Sequence, residues 1–179
     1  MQLLTTSLPV IALNGYFIVS LYTTVAKLLL VSSALLVVGN SRTYVEEHPN
    51  HHLEYATVLL LAILLMVLLV SSNHILSAFL SLVGFSLNLY VLIMFDATSA
   101  AAREAGIKYY YLSTFSSGLL LYGLFLLYTL TGQGQFELIN LALTTNPQLL
   151  VEGNTQLKFA IIFVLMGLFF KLSAFPAHF

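Results

Sequence analysis

The sequence lacks cysteine and is poor in charge. None of its 179 residues is cysteine, and Lys, Arg, Asp and Glu together make up only 7% of the chain. Without thiols the chain has no disulfides, thiolate metal sites or iron–sulfur clusters, so any redox chemistry has to lie on another chain. Six Lys and Arg side chains cannot neutralise a row of phosphates, which excludes a basic nucleic-acid-binding module. Charged residues make up roughly a quarter of an ordinary soluble domain, so that class is excluded as well.

What the sequence has instead is long apolar runs. Hydrophobic residues make up 59% of the chain, and a soluble fold of this size could not hide so much apolar surface from water. A bilayer core about 30 Å thick is crossed by about 20 apolar residues in a helix. Because five runs reach about this length and none alternates like a strand, we predict an all-α polytopic membrane protein, with residues 1–179 as a single membrane domain. The runs are Tyr16–Val38, Leu53–Val70, Ile75–Phe95, Ile107–Leu130 and Leu157–Phe175.

The connections between the runs hold most of the polar residues. The second connection turns tightly at residues 71–74, and we predict His74 as a polar cap of the third helix. The fourth connection is the longest, and it has room for a short amphipathic segment at about Phe136–Leu143.

A cluster of histidines in the first connection raises the question of a metal site. His48, His51 and His52 are close in sequence, but Pro49 opposes a helix that would align them. We therefore predict no metal site on this chain. Glycine-rich phosphate cradles and nucleophile elbows do not occur in the sequence either.

Lys171 is the most unusual charged residue because it follows ten mostly apolar residues near the end of the fifth run. A lysine at membrane depth costs about 2.5–3.5 kcal/mol, which those neighbours can just offset. Two alternatives stay open: the side chain reaches back to an interface, or it is a protonatable group that faces a wet interior. Pro176 breaks the helical hydrogen-bond ladder five residues later, so free backbone groups and His178 would lie near the lysine.

Two further charged positions stand out. Glu104 and Lys108 are four residues apart at the start of the fourth run, in the order that favours an ion pair on one helix face. Taken alone, this pattern is typical of a solvated pair at a helix start. Lys27 lies in the middle of the first run, where both snorkelling and a role inside a helix bundle remain open.

Two linked motifs resemble NADH dehydrogenase subunit 2, an antiporter-like membrane subunit of respiratory complex I. The segment Glu104–Gly132 is similar to the family pattern that begins E-A-x-x-K-Y-F and continues through S-x-x-L-L-Y-G to T-G. The segment Phe170–His178 is similar to the family motif F-K-L-S-x-x-P-F-H. Phe79–Leu82 resembles part of the fifth family helix, and the likeness extends over nearly the whole chain from about Asn14. The five predicted helices would correspond to the third through seventh of fourteen.

The resemblance implies a proton-translocating role. On it, Lys171 is the central protonatable group on a broken helix, Lys108 and Glu104 help to relay protons, and His178 continues the wet axis. It implies no cofactor on this chain, and places NADH, FMN, Fe–S clusters and ubiquinone on other subunits. The implied partners are neighbouring antiporter-like and other membrane subunits and lipids, with no nucleic acid.

Two alternatives stay open, and the first rests on a departure from the family pattern. The family carries an acid in its fifth helix where this chain has Val83, and the nearest substitutes are Glu54 and Glu104. The chain could therefore be a structural complex I subunit whose proton path has decayed, although the retained Lys171 and His178 oppose this. It could also belong to a multisubunit cation/proton antiporter, although those relatives usually read K-S-A-Q-x-P where this chain has Lys-Leu-Ser-Ala-Phe-Pro.

The sequence stops at Phe179, inside the predicted broken helix. Because a half-helix with free carbonyls cannot rest in lipid alone, we expect a second chain to carry the remaining helices of a split subunit. Splitting and shortening are changes associated with organelle genomes. We therefore expect the mitochondrial inner membrane as the location, in preference to a bacterial plasma membrane.

Overall fold

The computed structural model describes residues 10–41, 52–95, 99–145 and 155–172, which form six α-helices and one short β-hairpin. Four of the helices in the described residues, α1 to α4, are long and apolar enough to cross a membrane. Helix α6 is shorter, with 17 residues. The prediction of an all-α polytopic membrane fold is confirmed, while the break predicted at Pro176 lies outside the described residues. The helices are α1 (Leu21–Asn40), α2 (His52–Ser71), α3 (Ile75–Ile93), α4 (Ala100–Thr131), α5 (Phe136–Thr145) and α6 (Thr155–Lys171).

The first helix begins later than its apolar run. Strand β1 (Val10–Ala12) pairs antiparallel with β2 (Phe17–Val19), which occupies the start of that run. The Oγ of Ser20 then accepts a hydrogen bond from the N of Thr23 at 3.3 Å, and the Oγ1 of Thr23 accepts one from the N of Ser20 at 2.8 Å. This reciprocal capping box starts α1 at Leu21 instead of at Tyr16.

The hairpin is attached to the turn between α2 and α3. The backbone N of Asn73 donates to the carbonyl of Tyr16 at 2.8 Å, and the Oγ of Ser77 donates to the same carbonyl at 3.1 Å. The ring of Tyr16 stacks on that of His74 with centroids 4.5 Å apart. His74 also caps α3, since its Nδ1 accepts from the N of Leu76 at 3.1 Å, as the sequence predicts. These bonds pair backbone groups that would be costly if left alone in an apolar medium.

Helices α2 and α3 pack closely in the first of two compact units, which ends at Gly106. A Cβ added at Gly84 of α3 would lie only 3.1 Å from the Cδ2 of Leu65 on α2, which leaves room for little more than a glycine. The buried residues of α3 are serines, and the hydroxyls of Ser81 and Ser86 donate to carbonyls one turn earlier in their own helix. Small residues and self-satisfied hydroxyls of this kind are typical of contacts between membrane helices.

A second compact unit begins at Ile107, inside helix α4. Helix α4 has 32 residues and starts at Ala100, seven residues before the apolar run, because the Oγ of Ser99 accepts from the N of Ala102 at 3.3 Å and alanine favours helix. It ends where Gly132 adopts a left-handed φ of 66° and donates its N–H to the carbonyl of Tyr128 at 2.8 Å. Helix α5 lies where the sequence predicts a short amphipathic segment.

Candidate functional site

The second unit brings one face of α4 into close contact with α6. Ser116 and Leu120 of α4 are only 1% and 2% exposed, and Ala160 of α6 is fully buried. Residues three, four and seven apart share a helix face, so Ser116, Leu120 and Gly123 form the contact face of α4. Ala160 and Gly167 lie seven apart on the contact face of α6.

Two glycines determine how closely the helices approach. A Cβ at Gly123 would lie 2.7 Å from the backbone N of Val164, and a Cβ at Gly167 would lie 2.8 Å from the Cβ and 2.9 Å from the N of Leu120. Backbone atoms cannot move aside as the end of a flexible side chain can. Only glycine therefore fits at both positions, as in other close contacts of membrane helices.

A hydrogen bond connects the two helices directly. The Oγ of Ser116 donates to the carbonyl of Gly167 at 2.8 Å. In an α-helix that carbonyl is also the acceptor for the N–H of the residue four positions later, which here is Lys171. The hydroxyl on α4 thus binds the turn of α6 that carries the lysine.

Two aromatic pairs show how the helices run. Tyr122 meets Phe163 edge to face at 5.1 Å, and Phe115 meets Phe170 in the same way at 5.8 Å. Residue numbers fall along α4 as they rise along α6, so the two helices are antiparallel. The carboxyl end of α6 consequently lies near the amino-terminal half of α4.

This arrangement brings Lys171 and Lys108 to the same end of the helix pair. Lys171 is the last residue of α6 and is half-buried, while Lys108 is exposed on α4. Ser116 and Gly167 lie at about the same level because they are hydrogen-bonded. From that level, Lys108 is eight residues, or about 12 Å, away along α4, and Lys171 is four residues, or about 6 Å, away along α6. The two lysines are therefore offset by about 6 Å along the helix axes.

The other predicted site residues are more dispersed. Glu104 is exposed and lies one turn before Lys108 on α4. Val83, where the resemblance would place an acid, is half-buried on α3, and Glu54 is exposed in the first turn of α2. His178 lies outside the described residues.

Lys27 is half-buried in the middle of α1. Within residues 10–41, 52–95, 99–145 and 155–172, no group of three or more His, Asp or Glu side chains could hold a metal ion. His48 and His51 lie outside these ranges.

In the sequence, Ser116, Gly123 and Gly167 stand out only as members of a motif or of an apolar run. The signal that could identify them is the spacing of small residues, because Ser116 and Gly123 are seven apart on one run, as are Ala160 and Gly167 on another. Small residues repeated on one face predict a close contact between membrane helices.

Comparisons with known proteins agree with one another. Residues 72–179 match the family described as NADH:quinone oxidoreductase/Mrp antiporter, transmembrane. The chain is 39% identical over 167 residues to NADH-quinone oxidoreductase subunit N of Acidithiobacillus ferrooxidans, covering 93% of this chain and 34% of that protein. It is 37% identical over 165 residues to the subunit of the same name from Parvibaculum lavamentivorans, covering 92% of this chain and 33% of that protein.

A similar solved structure leads to the same family. One chain of respiratory complex I from Thermus thermophilus with bound aureothin matches with a TM-score of 0.74 and 30% sequence identity, over 98% of this chain and 36% of that chain. The chain described here thus spans about a third of the length of the relatives it matches.

Proposed function

The chain belongs to the NADH:quinone oxidoreductase/Mrp antiporter membrane family, and from this we propose that it forms part of a proton-translocating membrane subunit of an NADH:quinone oxidoreductase. The two relatives compared above are named as subunit N of such an oxidoreductase, which favours it over a cation/proton antiporter. In this enzyme NADH, FMN, the Fe–S clusters and the quinone would bind to other chains, in keeping with a sequence that has no cysteine.

The position of Lys171 carries the proposal. It ends an apolar helix, is half-buried, and is four residues beyond a glycine that is packed tightly against α4. Charged side chains within membrane segments are rare because they are costly, and they almost always face a bundle interior or a water-filled cavity. A lysine kept at such a position is best explained by a function that uses its proton.

We propose that Lys171 binds and releases the translocated proton and that Lys108 relays it at the same end of the helix pair. Glu104, one turn earlier on α4, has the spacing of an ion-pair partner for Lys108. His178 is assigned to the same path on the resemblance alone. Each protonation of Lys171 changes the charge at the end of α6 by one unit, which gives the rest of the enzyme a means of controlling when the proton moves.

The test is Lys171→Ala in the whole purified enzyme reconstituted into lipid vesicles. We expect fewer protons moved per NADH oxidised, because the variant lacks the amino group that we propose carries the proton. Lys158→Ala is the matched control, since Lys158 is exposed and lies in the first turn of the same helix. An unchanged ratio in Lys171→Ala would remove this lysine from the mechanism and leave a structural subunit with a decayed proton path.

The chain is a multi-pass membrane protein, and its proposed partners are neighbouring membrane subunits and lipids. A second chain that carries further helices stays a prediction, as does the mitochondrial inner membrane. Both relatives compared above are bacterial, so a bacterial plasma membrane is the other location to consider. Purification of the enzyme from source membranes, with identification of every chain, distinguishes these cases.

A further inference from the structure

We propose that Ser116 is a positioning residue for Lys171. Its hydroxyl holds the last turn of α6 in register through the carbonyl of Gly167, so that the lysine stays at the height at which it exchanges protons. This inference rests on the proposed function of Lys171 and adds a residue on a different helix.

The first observation is that Ser116 donates its hydrogen bond to another helix. Serines in membrane helices usually donate to a carbonyl of their own helix, as Ser81, Ser86 and Ser117 do here. Ser116 instead donates to α6, across 51 residues of sequence, and it is 1% exposed. A hydroxyl that donates to a different helix fixes the position of the two helices relative to each other along their axes.

The second observation is that the acceptor carbonyl belongs to the turn of α6 that carries Lys171. Gly167 lies one hydrogen-bonded turn before Lys171, the last residue of α6, and the N of Leu172 donates to the carbonyl of Leu168 at 2.9 Å. Helix ends open more easily than helix centres, so a second bond at Gly167 limits how far the turn can unwind or slide. The displacement that it prevents is a displacement of Lys171.

Loss of the hydroxyl should leave the fold intact. Without Ser116 the carbonyl of Gly167 still accepts the N–H of Lys171, so no buried polar group is stranded. Alanine is also smaller than serine and adds no clash at the close contact between α4 and α6. The substitution leaves unchanged the titratable groups of α4 toward this end, which are Arg103, Glu104, Lys108, Tyr109, Tyr110 and Tyr111.

The experiment compares Ser116→Ala with the control Ser117→Ala in the whole enzyme in lipid vesicles. The control removes a neighbouring hydroxyl that donates only to Thr114 of its own helix at 2.8 Å. Proton translocation per NADH oxidised is measured across a range of pH. For Ser116→Ala we expect the rate of translocation to fall about two- to tenfold, the factor that one hydrogen bond is worth, with a shift of its pH profile by about half a unit or more. Ser117→Ala is expected to behave as the unmodified enzyme.

A second arm tests whether Ser116 acts through Lys171. In the Lys171→Ala background, Ser116→Ala should have no further effect on translocation, whereas two independent roles would give additive losses. Gly167→Ala provides a variant that keeps the hydroxyl but pushes the turn away from Leu120, and we expect the same shift of the pH profile from it. Normal translocation with an unshifted profile in Ser116→Ala or in Gly167→Ala overturns the inference, as do additive losses in the double variant.

The roles of Lys171 and Ser116 are tested separately. If Lys171→Ala leaves translocation unchanged, the proposed function of Lys171 fails. If Lys171→Ala reduces translocation but Ser116→Ala does not, only the positioning role of Ser116 fails.

Discussion

Phe115 and Phe170 meet edge to face, with ring centroids 5.8 Å apart and ring planes at 90°. Phe170 immediately precedes Lys171, so this contact restrains the segment of α6 from which the lysine projects. Edge-to-face pairs are worth about 0.5–1.5 kcal/mol beyond the area that they bury. The pair and the hydrogen bond from Ser116 therefore attach the same turn of α6 to α4 at two points.

Phe115→Ala should loosen the end of α6. We expect the backbone amides of residues 168–172 to exchange hydrogen for deuterium faster, by about two- to tenfold, because the ring contact no longer opposes opening of the last turn. Exchange measured by mass spectrometry on the purified enzyme checks this. Phe125→Ala is the control, since Phe125 is as exposed as Phe115 and lies on the same helix. Equal exchange in the two variants would contradict the prediction.

Gly123→Ala should weaken the contact between α4 and α6. The added methyl would meet the backbone N of Val164 at 2.7 Å, so the helices have to separate, at a cost of about 1–3 kcal/mol. We expect a lower thermal midpoint and less assembled enzyme on native gels. Gly118→Ala on the same helix meets nothing within 4 Å and should be neutral or slightly stabilising, because alanine favours helix. Equal behaviour of the two glycines would show that the close approach does not matter.

Glu104→Gln and Lys108→Gln should each reduce the number of protons moved per NADH oxidised. A solvent-exposed pair of this spacing adds only about 0.2–0.5 kcal/mol, so the thermal midpoint of the enzyme should hardly change. The result expected is thus a loss of translocation without a loss of stability. Glu137→Gln, in the first turn of α5, is the control for removal of one acid. If both ratios stay normal, Glu104 and Lys108 are merely a solvated pair at a helix start.

Tyr16→Ala should release the hairpin from the turn between α2 and α3. The variant keeps the backbone bond from Asn73 but loses the ring stacked on His74 at 4.5 Å. We expect faster amide exchange at residues 72–74, with proton translocation unaffected. Tyr22→Ala, which removes a largely exposed ring from the first turn of α1, should leave that exchange unchanged. Protection of residues 72–74 in both variants would mean that the backbone bonds alone hold the hairpin.

Reasoning from sequence predicts some features of this fold better than others, for physical reasons. Helices α2 and α3 start within one residue of their apolar runs, because hydropathy alone separates a membrane span from a polar turn. The starts of α1 and α4 differ from those of their apolar runs by several residues. These starts depend on the single hydroxyl groups of Ser20 and Ser99, which a hydropathy pattern does not detect.

The candidate site shows the same division. Lys171 and Lys108 are conspicuous in the sequence because charge is rare in apolar runs. The bond from Ser116 to Gly167 is not conspicuous, because α4 has several serines and threonines and hydropathy does not show which of them meets α6. Such a contact is settled only when two segments 51 residues apart come together.

The length of α4 has a consequence for where its charges lie. Its 32 residues extend about 48 Å, and even a tilt of about 40° leaves a height of about 37 Å against a hydrocarbon core of about 30 Å. Part of the helix has to project into the headgroup layer, and the end with Arg103 and Glu104 is the one that water accepts. Lys108 lies about 6 Å further along α4 than Glu104, and Lys171 lies about one helical turn beyond the level of Lys108 along the helix axes. The two lysines thus have different depths along the helix pair, which is the arrangement that the proposed relay between them requires.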